Sequence, residues 1–314
     1  MKDLRIYIIL TIVMFVWGVN LPIVKYLTAQ MGPVTMTALR ILIAATTVFI
    51  ILAIMGLIRK PSRKEWLYIG LGAVLNVALH HYFISVGLTM TSGTNAGLIL
   101  GTGPMLTAIF GSLILRLFPT KLQWIGFLLG LSGVSLTVIA GNGGASSVSL
   151  GDLFVFLAIF AQVLSFMVIT KAAKTMDPRL LTAYMFLFGS ILLFITGFIQ
   201  EPGEMAAFAT VPGVFWLAIL ASGMGATAVG HMLYNFSIGI VGPSKSAIFI
   251  NLNTVFSLIG AAILLNEKIT SIHLIGLVLI IGGVLLGSGA VEQMMKNRKK
   301  KKAISTNAKV KVNI

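Results

Sequence analysis

The chain has 314 residues, of which 57% are hydrophobic and only 10% charged, and its mean hydropathy is +1.01. A soluble domain carries about 25% charged residues, so this composition excludes a water-covered globule and implies an all-α or barrel protein that crosses a membrane many times. The formal charge is +15 and there is no cysteine. Disulfides, thiol nucleophiles and cysteine metal sites are therefore excluded, and the surplus of bases is read first as a signal of membrane orientation.

A membrane-crossing helix needs about 20 apolar residues. Ten such runs follow one another, at roughly 6–28, 34–58, 66–88, 93–115, 122–140, 151–173, 179–199, 212–237, 243–265 and 271–290. They are long and continuous, which predicts helices and not the short alternating segments of a barrel. The opening MKDLR leads into an apolar run that continues through Trp17-Gly18-Val19-Asn20. It is expected to stay as the first span and not to be cleaved as a signal.

The connections alternate in charge. RKPSRKE (59–65), LRLFPTK with Arg116 and Lys121, and KAAKTMDPR with Lys171, Lys174 and Arg179 are basic; GNGGASSVSLGD (141–152) has no base, and QEPGEMAAFATVP (200–212) has two acids and no base. With ten spans, the basic connections share a side with Lys2, Arg5 and the tail KNRKKKK (296–302), and only Lys25, Arg40 and Lys268 fall toward the other side. The positive-inside bias then predicts that both termini are cytoplasmic, and the expected host is the plasma membrane. Residues 291–314 are expected to be a disordered basic tail, with attraction to anionic membrane lipid of about 1 kcal/mol per base as its sharper role. No nucleic-acid partner is expected, since the tail has no interleaved aromatics.

The two halves repeat. Tyr82-x-x-Ser85-x-Gly87 answers to Tyr234-x-x-Ser237-x-Gly239, Gly126 to Gly276, Gly133-Val134 to Gly283-Val284, Lys25 to Lys171 and Pro33 to Pro178. The units are 6–140 and 151–290, with five spans each. Five is odd, so the second unit enters the bilayer from the opposite face. The expected fold is an all-α integral membrane protein of ten transmembrane helices arranged as two inverted five-helix repeats, a plan typical of secondary transporters with a midplane site between the repeats. Small-residue faces such as GLILGTGP (97–104) and SGMGATAVG (222–230) are expected at helix interfaces.

These residues resemble the drug/metabolite transporter superfamily, EamA type, over nearly the whole chain. The likeness rests on WGVNLP (17–22) with Lys25, Pro33 with Arg40, Ser85-x-Gly87-Leu88 followed by Thr91-Ser92, Tyr234, Gly242-Pro243-Ser244, Ala247, LLNEK (264–268) with Glu267, Gly276 and Gly283-Val284. Arg116 stands in the first half where a glutamate would match, and Thr254 replaces the proline common in span 9 while span 4 keeps Pro104. The resemblance implies a ten-helix inverted-repeat carrier that exports metabolites, amino acids or drugs.

Ionisable groups inside lipid are functional candidates by default. Here they are Lys25, Arg40, His80, His81 and His231, with Lys171 near a span end and no carboxylate in mid-span. Histidine is then the side chain suited to proton exchange near neutral pH; the alternative for each is a structural bond to a helix carbonyl. Two adjacent histidines lie about 100° apart on a helix, so at most one of His80 and His81 is expected to point inward. Arg40 either satisfies helix carbonyls or attracts a carboxylate on a substrate. Trp17, Asn20, Tyr82, Asn95, Tyr234, Asn251 and Asn253 complete the expected cavity set. Trp66, Trp124 and Trp216 read as interface anchors, and Pro22, Pro104 and Pro243 as helix-loosening points.

The function expected from these features is a secondary-active transporter of a small-molecule substrate by alternating access. A membrane enzyme or flippase-like carrier of lipid-linked substrates is the alternative. No catalytic set, metal-ligand set, cofactor motif or phosphate loop is legible, and His273 lies at a span edge without a carboxylate cluster.

Overall fold

In lipid every backbone N–H and C=O must be satisfied inside its own segment, so long apolar runs become helices. The computed structural model describes residues 2–91, 93–142, 149–265 and 270–296, and all regular structure among them is helical. Ser92, Glu267, Lys268 and the basic run beyond Lys296 lie outside the described residues, as does the side chain of Lys25.

The first half contains α1 (Lys2–Thr28), α2 (Pro33–Ile54), α3 (Arg63–Gly72) continued by a π-helical stretch (Ala73–Leu79) into α4 (His80–Met90), then α5 (Gly93–Gly101), α6 (Gly103–Leu115) and α7 (Lys121–Asn142). The second half contains α8 (Leu150–Ala172), α9 (Pro178–Gln200), the short α10 (Glu204–Ala207), α11 (Gly213–Leu220) continued by a second π stretch (Ala221–Val229) into α12 (Gly230–Val241), then α13 (Pro243–Ala247), a 3-10 turn (Ile248–Ile250), α14 (Asn251–Leu265) and α15 (Ser271–Gly287). Among the described residues, eight helices are long and apolar enough to cross a membrane. A ninth would be α15 together with Ala290–Lys296, which bends by 51° at the junction. Pro22 lies inside the continuous α1, whereas Pro104 and Pro243 sit in the first turns of α6 and α13.

Helix ends are capped where the sequence supplies oxygen. Ser62 with Glu65 and Ser149 with Asp152 form reciprocal capping boxes at α3 and α8, the arrangement that satisfies two orphan donors at once. His273 takes the same part opposite Thr270 at α15. The start of α2 is capped from the other half: Glu201 accepts from the amides of Val34 (3.0 Å) and Thr35 (2.8 Å), and Glu204 from Gly32 (2.6 Å).

Between helices, lipid offers no hydrophobic drive, so association depends on close backbone approach at small residues. The tightest seam joins α7 to α15, which run antiparallel. A Cβ on Gly126 would lie 2.7 Å from the Cα of Gly287 and 2.8 Å from the carbonyl of Gly283, and one on Gly133 would lie 2.7 Å from the carbonyl of Gly276. Helices α2 and α9 are likewise antiparallel: Gly197 packs on Thr35 at one end and Phe49 meets Tyr184 at the other, with ring centroids 5.1 Å apart. The remaining long helices are exchanged between halves. Helix α1 packs on α12 and α14 of the second half, while α8 packs on α4, α5 and α6 of the first. Leu10, Met14, Leu52, Phe166 and Phe186 fill the centre, and Leu113, Leu217 and Val278 stand exposed on the apolar outside.

Candidate functional site

A cavity of about 580 Å³ lies between the halves. Its deep wall is formed by Trp17 and Asn20 of α1, Arg40 of α2, His80 and His81 of α4, Gln162 of α8, Ala226 and Thr227 of the second π stretch, His231 of α12 and Asn253 of α14. Its rim is formed by Thr28, Leu88 and Thr89, which are exposed, and by Pro33. The cavity therefore runs from buried polar groups to the end of the bundle where α1 passes into α2.

The π stretches position much of this wall. A π turn holds an extra residue, frequently at functional sites, and both stretches here lead directly into a histidine-bearing helix. The carbonyl of Ala226 accepts from Trp17 Nε1 at 2.9 Å, and that of Thr227 is 3.1 Å from His231 Nδ1. A carbonyl only accepts, so His231 carries its proton on Nδ1 in this bond and turns Nε2 away from the helix. Its ring packs on Trp17, with centroids 4.6 Å apart, and faces His81 across 6.2 Å.

His80 is tied more tightly. Its Nδ1 is 3.0 Å from the carbonyl of Ala158 and its Nε2 is 3.2 Å from Gln162 Nε2. The first bond requires Nδ1–H, which leaves Nε2 to accept from the Gln162 amide. Behind them Asn76, in the first π stretch, donates to Ser165 Oγ at 2.7 Å, and Ser165 donates to the Gln162 carbonyl at 2.6 Å. These bonds tie the first π stretch to α8, and the two bonds of the ring itself orient the imidazole.

Other cavity atoms have no protein partner. Asn20 Oδ1, Arg40 Nε, His81 Nε2 and Asn253 Oδ1 are buried with no hydrogen bond among the described residues. Arg40 is 9% exposed, and its Nη1 reaches only Thr227 Oγ1, at 3.3 Å. Buried polar groups are ordinarily bonded, to protein or to water, because desolvation without a partner costs about 1–3 kcal/mol each. Others, such as Tyr234 Oη and Asn251 Nδ2, lie apart from the cavity, but these four converge on one open space and make a surface complementary to something polar.

Of the eleven expected residues, Trp17, Asn20, Arg40, His80, His81, His231 and Asn253 line this space. The expectation that only one of His80 and His81 faces inward is corrected: both line it. The cavity wraps around α4 from Thr37 and Arg40 on α2 to Gln162 on α8, which is wider than the angle between neighbouring side chains. Tyr82, Asn95, Tyr234 and Asn251 do not line it. Tyr82 donates to Gln200 Oε1 at 2.9 Å on an exposed face. Asn95 donates to Asp152 at 2.9 Å, where Thr91 also bonds. Tyr234 is 1% exposed and supports Trp17 from behind, packed at a tilt between it and Phe166. Asn251 presses against Gly130 of α7. The sequence reading missed Gln162, Thr37, Ser85 and Thr227; an amide in the middle of FAQVLSF (160–166) was the available signal for the first.

A bundle of apolar helices enclosing one polar, part-open cavity defines a multi-pass membrane transport protein. The model of the EamA-like transporter family matches residues 4–139 and again 149–289, and the chain belongs to that family. It is 31% identical over 310 residues to the uncharacterized transporter YyaM of Bacillus subtilis (strain 168), covering 97% of this chain and all of that one. It is 27% identical to the uncharacterized transporter YvbV of the same organism, over 90% of this chain and 91% of that one. An uncharacterized transporter of Archaeoglobus fulgidus is 25% identical over 92% of this chain and 99% of its own. One solved crystal structure shares the fold with a TM-score of 0.77 at 18% identity, over 90% of this chain and 98% of that chain.

Proposed function

We propose that the protein is a secondary-active exporter of small metabolites, working by alternating access. The observation that carries this is the cavity itself: about 580 Å³, shared between the halves, and lined by four buried polar atoms without protein partners. That volume lies within the range of small-molecule sites, about 300–1,000 Å³.

The reading extends to ten spans in two inverted units, 6–140 and 151–290, in the plasma membrane with both termini cytoplasmic. Two features support it. The contact of Gly126 with Gly283 becomes that of Gly276 with Gly133 when the repeat-equivalent residues are exchanged, as an isologous two-fold interface requires. The repeat-equivalent pairs α7/α15 and α2/α9 each pack antiparallel, which is what inversion produces. In this arrangement α1 with α12 and α14, and α8 with α4 and α6, act as two bundles that rock about the central seams. The cavity rim at Thr28 and Thr89 then faces outward. Small molecules and membrane lipid are the partners in this reading, and nucleic acid is not.

Proteoliposomes containing the purified protein test it directly. Saturable counterflow of a labelled metabolite panel, measured with and without a pH gradient, is the expected result. Cysteine accessibility labelling at positions 3 and 292 tests the topology, and labelling of the two from opposite faces would sink it.

A further inference from the structure

We infer that the cavity selects an organic monoanion: a molecule with one carboxylate, hydrogen-bond donors beside it and no ammonium group. This rests on the carrier reading and names the substrate class of the same site.

The argument is one of unmatched charge. Among the lining residues Arg40 is the fixed cation, and none is acidic. The acids that the structure describes in ordered contacts are engaged elsewhere. Glu65 pairs with Arg59 and Asp177 with Arg179, both at 2.6 Å. Asp152 holds Asn95 and Thr91, and Glu201 and Glu204 cap α2. Arg40 is buried, bonds Thr227 at 3.3 Å, and leaves Nε without a partner. A guanidinium keeps its charge and offers donors in a rigid fork that fits a carboxylate bidentately. Removing it from water without a counter-charge is costly, and an incoming carboxylate cancels that cost.

The uncharged groups supply the other half of the specificity. Asn20 Oδ1 and Asn253 Oδ1 are unpartnered acceptors on the same wall, so they call for hydroxyl or amide donors. A 2-hydroxy acid presents both features. A zwitterion would also satisfy Arg40, but its ammonium would enter a site that already holds a cation and offers only uncharged oxygens to offset it. An amine would meet the same cation with no compensation at all.

Two matched series in proteoliposomes test this: phenyllactate, phenylalanine, phenethylamine and phenyllactamide on one scaffold, and 2-hydroxyisocaproate, leucine, isoamylamine and 2-hydroxyisocaproamide on the other. Within each series the charge changes on a constant side chain, the amine being the amino acid without its carboxylate. The wild-type protein is expected to take up the hydroxy acid saturably, with the zwitterion and amine competing about tenfold more weakly or worse. Arg40→Gln should raise KM for the acid about 30-fold or more and leave competition by the neutral amide nearly unchanged. Arg40→Lys, which keeps the charge but not the fork, should retain the preference for acid over amine with weaker binding. A wild-type preference for the zwitterion or amine in both series would overturn the inference, as would an unchanged KM for the acid in folded Arg40→Gln. Either result leaves carrier function standing. Uptake of no member of either series would overturn the inference, while the wider metabolite panel decides carrier function. The wild-type selectivity needs no variant, so a misfolded Arg40→Gln does not blunt the test.

Discussion

The α7–α15 seam and the cavity draw on the same small and polar residue types, yet one is closed to atomic contact and the other is left open. In the seam, glycine backbones touch and Thr137 spends its hydroxyl on the carbonyl of Gly133 at 2.9 Å. In the cavity, four buried polar atoms have nothing to bond. The difference lies in what the polar groups of each region face. Polarity occurs in both; in the seam Thr137 bonds its own helix, and in the cavity four polar atoms converge without a partner.

The hardest way to break this contrast is to fill the seam. Gly126→Val would drive a side chain into the backbone of Gly283 and Gly287, which has no flexible end to move aside. The expected loss exceeds about 3 kcal/mol, beyond ordinary overpacking. It should appear as failure to yield a monodisperse protein in detergent. A well-folded Gly126→Val would mean that the two helices are not in contact.

Next comes a glycine that serves the cavity. A Cβ on Gly230 would meet the indole of Trp17, 2.5 Å from Nε1, and that is a side chain able to yield. Gly230→Ala is expected to displace the indole from the Ala226 carbonyl at a cost of about 1–3 kcal/mol. Transport should fall roughly tenfold while the protein stays folded. Thermal unfolding and proteoliposome uptake on one preparation check both halves of that statement. Loss of fold with no selective loss of transport would place Gly230 with the seam.

Ser165→Ala probes the interior of the site from behind. It removes the acceptor of Asn76 and a hydroxyl bond to the main-chain carbonyl of Gln162. Interhelical hydrogen bonds in membranes contribute about 0.6 kcal/mol on average and up to about 1.7, so stability should fall within that range. The side-chain amide of Gln162 keeps its own bond to His80 Nε2, so the imidazole resonance should stay in place by NMR. A shifted resonance would show that the loosened contact between the π stretch and α8 reaches the histidine.

Much of the fold was legible because hydropathy alone sets it. The runs expected at 151–173 and 179–199 correspond to Leu150–Ala172 and Pro178–Gln200. Ser62 and Ser149 mark helix starts with the acid three residues on. The π stretches were not legible, since one added residue per turn leaves no trace in a run that is apolar on every side. For the same reason the facing of single polar residues escaped the reading. Tyr234 and Asn251 sit in apolar surroundings much like those of His231 and Asn253, yet Tyr234 packs behind Trp17 and Asn251 against α7. Only tertiary packing separates them. Arg40, His81 and Asn20 were legible because a polar group deep in lipid requires a partner, and none was available nearby in the chain.

The smallest effect gives the sharpest contrast, because it lies one residue from the seam. Gly283 faces α7, where a Cβ would come within 2.6 Å of the amide of Gly130; Gly282, beside it on α15, meets nothing within 4 Å. Gly282→Ala should therefore change stability by no more than about 0.5 kcal/mol, and any change should favour the folded state, because alanine is the better helix former. Gly283→Ala forces the two backbones apart and should behave as Gly126→Val does, to a lesser degree. Thermal unfolding of the two alanine variants side by side measures the contrast. If they melt together, the seam is not held by backbone contact, and the axis on which the two halves are proposed to turn lies elsewhere.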